Sequence, residues 1–328
     1  MSECLRVGMI GAGMVSQYHL QGWLDCPQAR LVAIADPDLS KARNRALEVS
    51  GVKAYASFGE MLDAGGLDAV DIVTPPETHA ELIATAQAAG LHVICQKPLA
   101  TNAAEARAIE TAIRPETRVM VHENWRWRPQ YRALKKALEC GAVSSPSGFI
   151  FRVESSGLLE NETGQYPALL RQPFFASMPR LLVFELLVHH LDTLSFLFGD
   201  VQLHNAVLDH RCPAVTGEDR AVIDLSAGGI QGKLVADFRV EGAPPLPNDC
   251  LQFDGVETPV VNGWQLNIPD QDQQNWDGQA AYQDSYSATI KHFASSLANG
   301  KGFETPVSKM VKLLELVDEI YASASAGV

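Results

Sequence analysis

Leu5-Arg6-Val7-Gly8-Met9-Ile10 runs directly into Gly11-Ala12-Gly13-Met14-Val15-Ser16, and Leu31-Val32-Ala33-Ile34-Ala35-Asp36 follows one helix later. An apolar strand, a glycine turn, a helix and a second apolar strand ending in an acid make the first βαβ unit of a doubly wound parallel sheet. A pyrophosphate needs backbone N–H groups close by and a helix N-terminus directed at the anion, so residues without a Cβ must line its approach. Gly11 and Gly13 meet that need, and Met14 and Val15 complete the turn. Ser16 stands where a third glycine is usual. It is small enough for helix and strand to pack closely, and its hydroxyl is a candidate phosphate donor. Asp36, 25 residues after Gly11, falls where the ribose hydroxyls of NAD would be held. Its charge would repel the extra phosphate of NADP, although Lys41 and Arg43 follow closely, so NAD is expected ahead of NADP.

The alternation continues outward from this unit. Helices are predicted near 39–49, 58–64, 78–89 and 103–113, with short strands at 53–55, 69–73, 92–95 and 118–122 between them. A dinucleotide-binding Rossmann domain over residues 1–123 is the expectation, followed by a substrate-binding and oligomerisation α+β domain over 124–328. From about Gly148 the pattern changes to strands at 149–154, 221–225 and 232–238 with short turns between, the form of an open, mostly antiparallel sheet. A helix is predicted over 182–197, and two more at 286–297 and 307–323. Residues 241–279, rich in Pro, Asn, Gln and Asp, read as loops joining edge strands.

A chain of 328 residues with a formal charge of −13 is long enough for two cores and lacks the basic balance that nucleic acid or an anionic membrane demands. Small neutral partners fit better. The six cysteines form no Cys-x-x-Cys pair and have no histidine at zinc spacing, so they read as reduced thiols and no metal is expected. The longest apolar stretch, 181–198, is broken by Glu185 and the pair His189-His190. A cytoplasmic protein is expected.

Two groups of residues suit chemistry. Gln96-Lys97-Pro98 ends a strand at the carboxyl edge of the sheet, where ligands of open α/β folds bind. Pro98 restricts the backbone of Lys97, whose ammonium could stabilise alkoxide character as hydride leaves a carbon; taken alone, it is as readily a solvated strand-end lysine. Glu185, His189 and Asp192 are spaced i, i+4, i+7, so on one helix they project within about 60° of one another. His190 points elsewhere. An imidazole suits proton removal from an alcohol, and a carboxylate one turn away can orient it or bind a second hydroxyl. A polar stripe on a surface helix is the alternative, but Leu186, Leu187, Val188, Leu191 and Leu194 leave that helix little solvated face.

Together with Val73-Thr74-Pro75-Pro76, Thr78-His79, His19 and Asn124-Trp125-Arg126-Trp127-Arg128-Pro129, these motifs make the chain resemble the Gfo/Idh/MocA oxidoreductases nearly end to end. The family's pattern has Glu-Lys-Pro where this chain has Gln96-Lys97-Pro98, and usually Asp-x-x-x-His-x-x-Asp where it has Glu185 to Asp192. The resemblance implies Lys97 and His189 as catalytic pair, with Glu185 in place of the family's Asp and Asp192 beside them. It also implies Thr74, Pro75, Thr78, His79 and Gln96 along the cofactor, Asn124 and Arg126 near its nicotinamide end, and a homodimer or homotetramer through the C-terminal sheet. The residues 171–175 and 178–180 resemble a branch acting on free aldoses, D-apiose dehydrogenases among them. There Arg180 is a candidate for a sugar hydroxyl or carboxylate, and Trp125 for stacking on a sugar face, against the alternative of core aromatics. The implied reaction is oxidation of an aldose at the anomeric carbon to a lactone, with NAD as acceptor. A polyol or inositol-type dehydrogenase, an NAD-using hydrolase or epimerase, and a non-catalytic nucleotide sensor remain as alternatives.

Overall fold

The computed structural model describes residues 4–269 and 271–325. Two compact units emerge, one running up to Trp127 and taking in Tyr282–Leu314, the other Arg128–Ala281 with the residues from Glu315 onward.

In the first unit strands and helices alternate: β1 (Leu5–Ile10), α1 (Ser16–Leu24), β2 (Ala29–Ala35), α2 (Leu39–Leu47), β3 (Lys53–Tyr55), α3 (Phe58–Asp63), β4 (Ala69–Ile72), α4 (His79–Ala88), β5 (His92–Gln96), α5 (Ala103–Ala112) and β6 (Val119–His122). All pairs in the sheet are parallel, in the order β3-β2-β1-β4-β5-β6. That is the doubly wound order, and the strand sequence reverses between β1 and β4, where the glycine turn lies. β4 and β6 are buried along their whole length, as strands covered by helices on both faces must be. Three of these helices, α2, α3 and α5, begin at side chains that supply missing acceptors: Asp38 accepts from the Ser40 N–H, Ser57 from Glu60 and Asn102 from Glu105.

The second unit holds α6 (Pro129–Glu139), β7 (Gly148–Glu154), α7 (Pro167–Arg171), α8 (Val188–Phe198), β8 (Val201–Asp209), β9 (Arg220–Ala227), β10 (Ile230–Asp237), β11 (Asn248–Phe253), β12 (Val261–Asn262), β13 (Gln265–Leu266) and β14 (Gln274–Asn275). Their sheet has the order β14-β13-β12-β11-β7-β10-β9-β8. The pairs are antiparallel except β7 with β10, which run parallel because β7 inserts between two strands that come much later in the chain. β11 lies within the segment expected to be loops and edge strands, yet it pairs with β7 inside the sheet. Phe149, Phe151 and Val153 point to the covered face, where Phe149 stacks on Phe198 and Phe151 meets the His190 ring edge-on. Ile150, Arg152 and Glu154 alternate onto the open face.

Two long helices close the chain, α9 (Gly278–Asn299) and α10 (Val307–Ser325). Where a single cut after residue 123 would have sent everything later to the second domain, residues 282–314 group with the first unit. The reason is physical. Val121 donates its N–H to the Thr305 carbonyl at 3.0 Å, the Thr305 hydroxyl returns a bond to the Val121 carbonyl, and Met120 bridges Pro306, so this stretch completes the edge of β6. Ile290, Phe293 and Ala294 of α9 join the core around Trp23 and Leu20, with a Cβ on Gly22 falling 2.5 Å from Ile290 Cδ1. Among the described residues no helix is long and apolar enough to cross a membrane.

Phe293 is fully buried against Trp23 and Phe303. Phe293→Ala is expected to destabilise the first unit by about 3–5 kcal/mol, read by urea denaturation. A loss below about 1 kcal/mol would show that the returning segment is not part of that core.

Candidate active site

At the carboxyl edge of the first sheet, Gly11 has φ of +100°, and a Cβ there would lie 2.3 Å from the Val73 carbonyl oxygen. Only glycine fits so close to β4. Gly13 has nothing within 4 Å of the place its Cβ would take, so its lack of a side chain serves open space and not the packing of the protein. Asp36 lies beside the turn: its carboxylate accepts the Ala12 N–H at 2.8 Å and the Asp38 N–H at 2.8 Å, and a carboxylate retains lone pairs for further hydroxyl donors. An approach left clear at Gly13, with an acid at the end of β2, fits the pyrophosphate and ribose of NAD. Met14 is half exposed at the tip, and Val15 follows at the start of α1. Ser16 differs from its expected role as a phosphate donor. It is fully buried, its hydroxyl donates to the Gly13 carbonyl at 2.6 Å, and Arg45 Nε donates to it at 3.0 Å, so it braces the turn from inside.

The neighbouring loops are tied to each other. The Thr74 and Thr78 hydroxyls meet at 2.7 Å, and Pro75 opens the short 3-10 turn before α4. His79 is fully buried, with Nε2 at 2.8 Å from the Thr74 carbonyl and Nδ1 at 3.1 Å from that of Leu99. Burial lowers its pKa, so the ring is neutral near pH 7 and its single N–H donates to one of these two carbonyls, packed between the loop after β4 and the loop carrying Lys97. Gln96 is buried at the end of β5, its Oε1 accepting the Lys97 N–H at 3.1 Å, and Lys97 is half-buried. Asn124 donates to the Ser285 hydroxyl at 2.8 Å and Arg126 to the Glu304 carbonyl at 3.3 Å, both side chains buried. Trp125 is 8% exposed and packs edge-on against Tyr282, so it belongs with the core aromatics.

In the second unit the helix expected over 182–197 is not uniform. Leu182–Leu187 form a π-helical turn, in which Val188 N–H reaches the Val183 carbonyl, and α8 begins only at Val188. Glu185 therefore sits on a wider turn than the i, i+4, i+7 spacing assumes, while His189 and Asp192 are on α8, 4% and 2% exposed. The start of this turn is capped by a carboxylate that sequence spacing did not reveal. Buried Glu218 accepts the N–H groups of Leu181 at 3.2 Å and Val183 at 2.9 Å, and the Tyr321 hydroxyl at 2.5 Å. Tyr321 in turn accepts the Phe184 N–H at 3.3 Å; burial and the Glu218 charge raise its pKa, so it stays a neutral phenol. Arg180 is engaged elsewhere than expected: Nη2 donates to Asp318 at 2.6 Å and the guanidinium lies over the Tyr321 and Phe184 rings. It supports the π turn from the outside.

A cavity of about 590 Å³ lies at the amino ends of β1 and β2, lined by Arg6, Arg30 and Lys53, and is remote from the glycine turn along the strands. No group of His, Cys, Asp or Glu among the described residues is arranged to hold a metal ion.

Gly13→Leu should raise the NAD dissociation constant at least tenfold, measured by calorimetry, with the melting temperature unchanged, since no protein atom contests the space; undiminished affinity would remove the turn from the cofactor site. Glu218→Ala leaves two backbone donors and a phenol without their acceptor and should cost about 1–3 kcal/mol or more in denaturant unfolding.

Comparison with known proteins agrees with this geometry. Residues 5–123 match the Gfo/Idh/MocA model, described as an oxidoreductase family with an NAD-binding Rossmann fold. The chain is similar to a D-apiose dehydrogenase of Paraburkholderia graminis, 32% identical over 97% of this chain and 87% of that one. It is also similar to a D-apiose dehydrogenase of Rhizobium rhizogenes, 27% identical over 98% and 96% of the two chains. Among solved structures, an oxidoreductase from Agrobacterium radiobacter in complex with NAD+, L-tartaric acid and magnesium superimposes with a TM-score of 0.87 at 26% identity, covering 99% of this chain and 97% of that one. The chain belongs to the Gfo/Idh/MocA family, as an oxidoreductase built on an NAD-binding Rossmann fold.

Proposed function

We propose that this protein is an NAD-dependent sugar dehydrogenase that oxidises an aldose, D-apiose or a close relative, at the anomeric carbon to the lactone. The observation that carries the reading is the polar set of half-buried Glu185 on the π turn and buried His189 and Asp192 on α8, a helix with almost no solvated face, in a chain that also holds the NAD turn. Similarity to D-apiose dehydrogenases over nearly the whole length supports the choice of sugar.

Oxidation of a hemiacetal hydroxyl removes a proton from oxygen and a hydride from carbon. Bound NAD supplies the hydride acceptor. The chain's own groups handle the rest. The imidazole of His189 takes the hydroxyl proton, a role suited to a group that titrates near neutrality. The Lys97 ammonium stabilises the negative charge that develops on that oxygen. Glu185 and Asp192 accept hydrogen bonds from neighbouring hydroxyls, which fixes the face of the sugar presented for transfer. Asp36 favours NAD, since a second phosphate beside its carboxylate would be repelled. A homo-oligomer is part of the same reading: Val207, Val222 and Val235 stand opposite one another on the open face of β8, β9 and β10, an apolar strip suited to a second copy.

Lys97→Ala should lower kcat by about 100-fold or more, and His189→Ala by about 100- to 10,000-fold, each with NAD affinity within twofold of the parent. The measurement is reduced-nicotinamide absorbance with D-apiose, other aldoses, polyols and hydroxy acids. Full activity in Lys97→Ala, or no reduction of NAD by any alcohol, would overturn the assignment.

A further inference from the structure

The π turn at Leu182–Leu187 is held from a distance. The residues just before it, Met178-Pro179-Arg180-Leu181, include no Ser, Thr, Asp or Asn to cap its first N–H groups. Acceptors come instead from two remote segments: Glu218, in the loop between β8 and β9, and Tyr321, on the last turns of α10. That loop lies directly on the chain entering the turn. A Cβ on Gly217 would fall 2.7 Å from the Met178 carbonyl oxygen and 3.0 Å from the Leu181 nitrogen, so only a residue without one lets Glu218 come this close. The Thr216 hydroxyl adds a bond to the Ala176 carbonyl at 2.9 Å.

We propose that Tyr321, acting with Glu218, is a positioning residue that sets which sugar epimer the site accepts. The inference rests on the dehydrogenase reading above and assigns a specificity role to residues outside its motif. The Tyr321 hydroxyl makes two bonds at once. It donates to Glu218 Oε1 and accepts the N–H of Phe184 at 3.3 Å, the residue immediately before Glu185. Glu218 reaches the same place by a second route: it takes the Leu181 N–H, and the Leu181 carbonyl accepts the Glu185 N–H at 3.0 Å. The backbone from which Glu185 projects is therefore fixed by side chains that come from two other parts of the chain.

The phenol is itself held in place. The Arg180 guanidinium lies 4.3 Å from the centroid of its ring and donates to Asp318, three residues earlier on α10. A long side chain such as that of Glu185 carries any change in its backbone direction out to the carboxylate, and a hydrogen bond to a sugar hydroxyl is lost over less than about 1 Å. Epimers differ only in where one hydroxyl stands. Discrimination between them is accordingly the property that depends most on a fixed carboxylate, and a misplacement of about 1 Å that originates far from the chemistry costs about 100-fold. The π geometry agrees with such a role, since single π turns within helices occur most often at functional sites.

The test is Tyr321→Phe, which removes the hydroxyl and keeps the ring beside Arg180, set against Glu218→Gln and the control Asp318→Asn, which breaks the Arg180 ion pair and leaves both bonds of the hydroxyl in place. In Tyr321→Phe the KM for the best aldose is expected to rise about tenfold with kcat within about threefold of the parent, and the ratio of kcat/KM between that aldose and its epimers to shrink about fivefold or more. NAD affinity stays unchanged, amide hydrogen exchange at Phe184 quickens, and Glu218→Gln moves KM and the epimer ratio in the same direction. A fall in melting temperature with KM and epimer ratio unchanged makes Tyr321 a structural residue only and overturns the proposal. An equal loss in Asp318→Asn also overturns it, by tracing the effect to a loosened α10. Should the parent reduce NAD with no alcohol, the dehydrogenase reading falls and the proposal with it, whereas an active parent with the same epimer ratio in Tyr321→Phe overturns the proposal alone.

Discussion

The second unit depends on one buried carboxylate. Asp249 is 3% exposed and accepts from His190 Nε2 at 2.9 Å, Tyr131 Oη at 2.6 Å and Arg128 Nη1 at 3.1 Å. Burial by itself would raise its pKa, but His190, Arg128 and Tyr131 together outweigh that and lower it, so Asp249 is charged in the folded protein. Removing one partner of such a group leaves a charge that neither water nor protein compensates, at a cost of about 3–5 kcal/mol. Through these bonds the start of α6, the helix α8 and the strand β11 are fixed to one point. His190 is thereby held against the sheet, and His189, about 100° further round the helix, is directed away from it. The histidine assigned to chemistry takes its direction from the histidine that is not.

The first unit repeats the device. Asp71 on β4 is fully buried and accepts from His19 Nδ1 at 2.8 Å and Trp23 Nε1 at 2.6 Å. Both donors are on α1, whose first turn follows the glycine loop, so the grip of Asp71 on the helix sets the direction of its N-terminus. The His19 ring lies 4.3 Å from that of His122 at the end of β6, and both meet Tyr286 of the returning helix. In each unit a carboxylate on a strand grips an imidazole and an aromatic donor, both on α1 in the first unit and on α8 and α6 in the second.

What the sequence shows and what it hides follows from the range of the interactions. The parallel strands of the first unit are apolar runs separated by amphipathic helices, and β1 and β3 have the limits their patterns predict. Gly11 and Asp36 were legible because the geometry of the turn leaves few residue types able to serve. Glu218 was not, since its partners are some 35 residues away and nothing in the spacing of 181–184 announces a carboxylate acceptor. The parallel pairing of β7 with β10 joins residues about 80 positions apart and has no local signature. β8 escaped notice because Gln202, His204 and Asn205 interrupt its apolar pattern and its register shifts between Leu203 and Asn205. The return of residues 282–314 was hidden for a related reason: an apolar helix face records that it is covered, but not which core covers it.

The π turn shows why the substitution of Glu for the family's usual Asp at position 185 is not read correctly from side-chain length alone. Two changes act together. The extra methylene extends the carboxylate, and the wider turn displaces the backbone that carries it relative to His189. The N–H groups of Leu181, Val183 and Phe184 open the turn, where no helical carbonyl can reach them, and Glu218 and Tyr321 take them instead. On the far side His190 is held by Asp249. The segment from Glu185 to His189 is therefore bracketed by two buried carboxylates, neither of which belongs to the motif itself. Groups held from both ends lose little further freedom when substrate hydroxyls arrive, which is the condition under which a small difference in sugar stereochemistry becomes a large difference in rate.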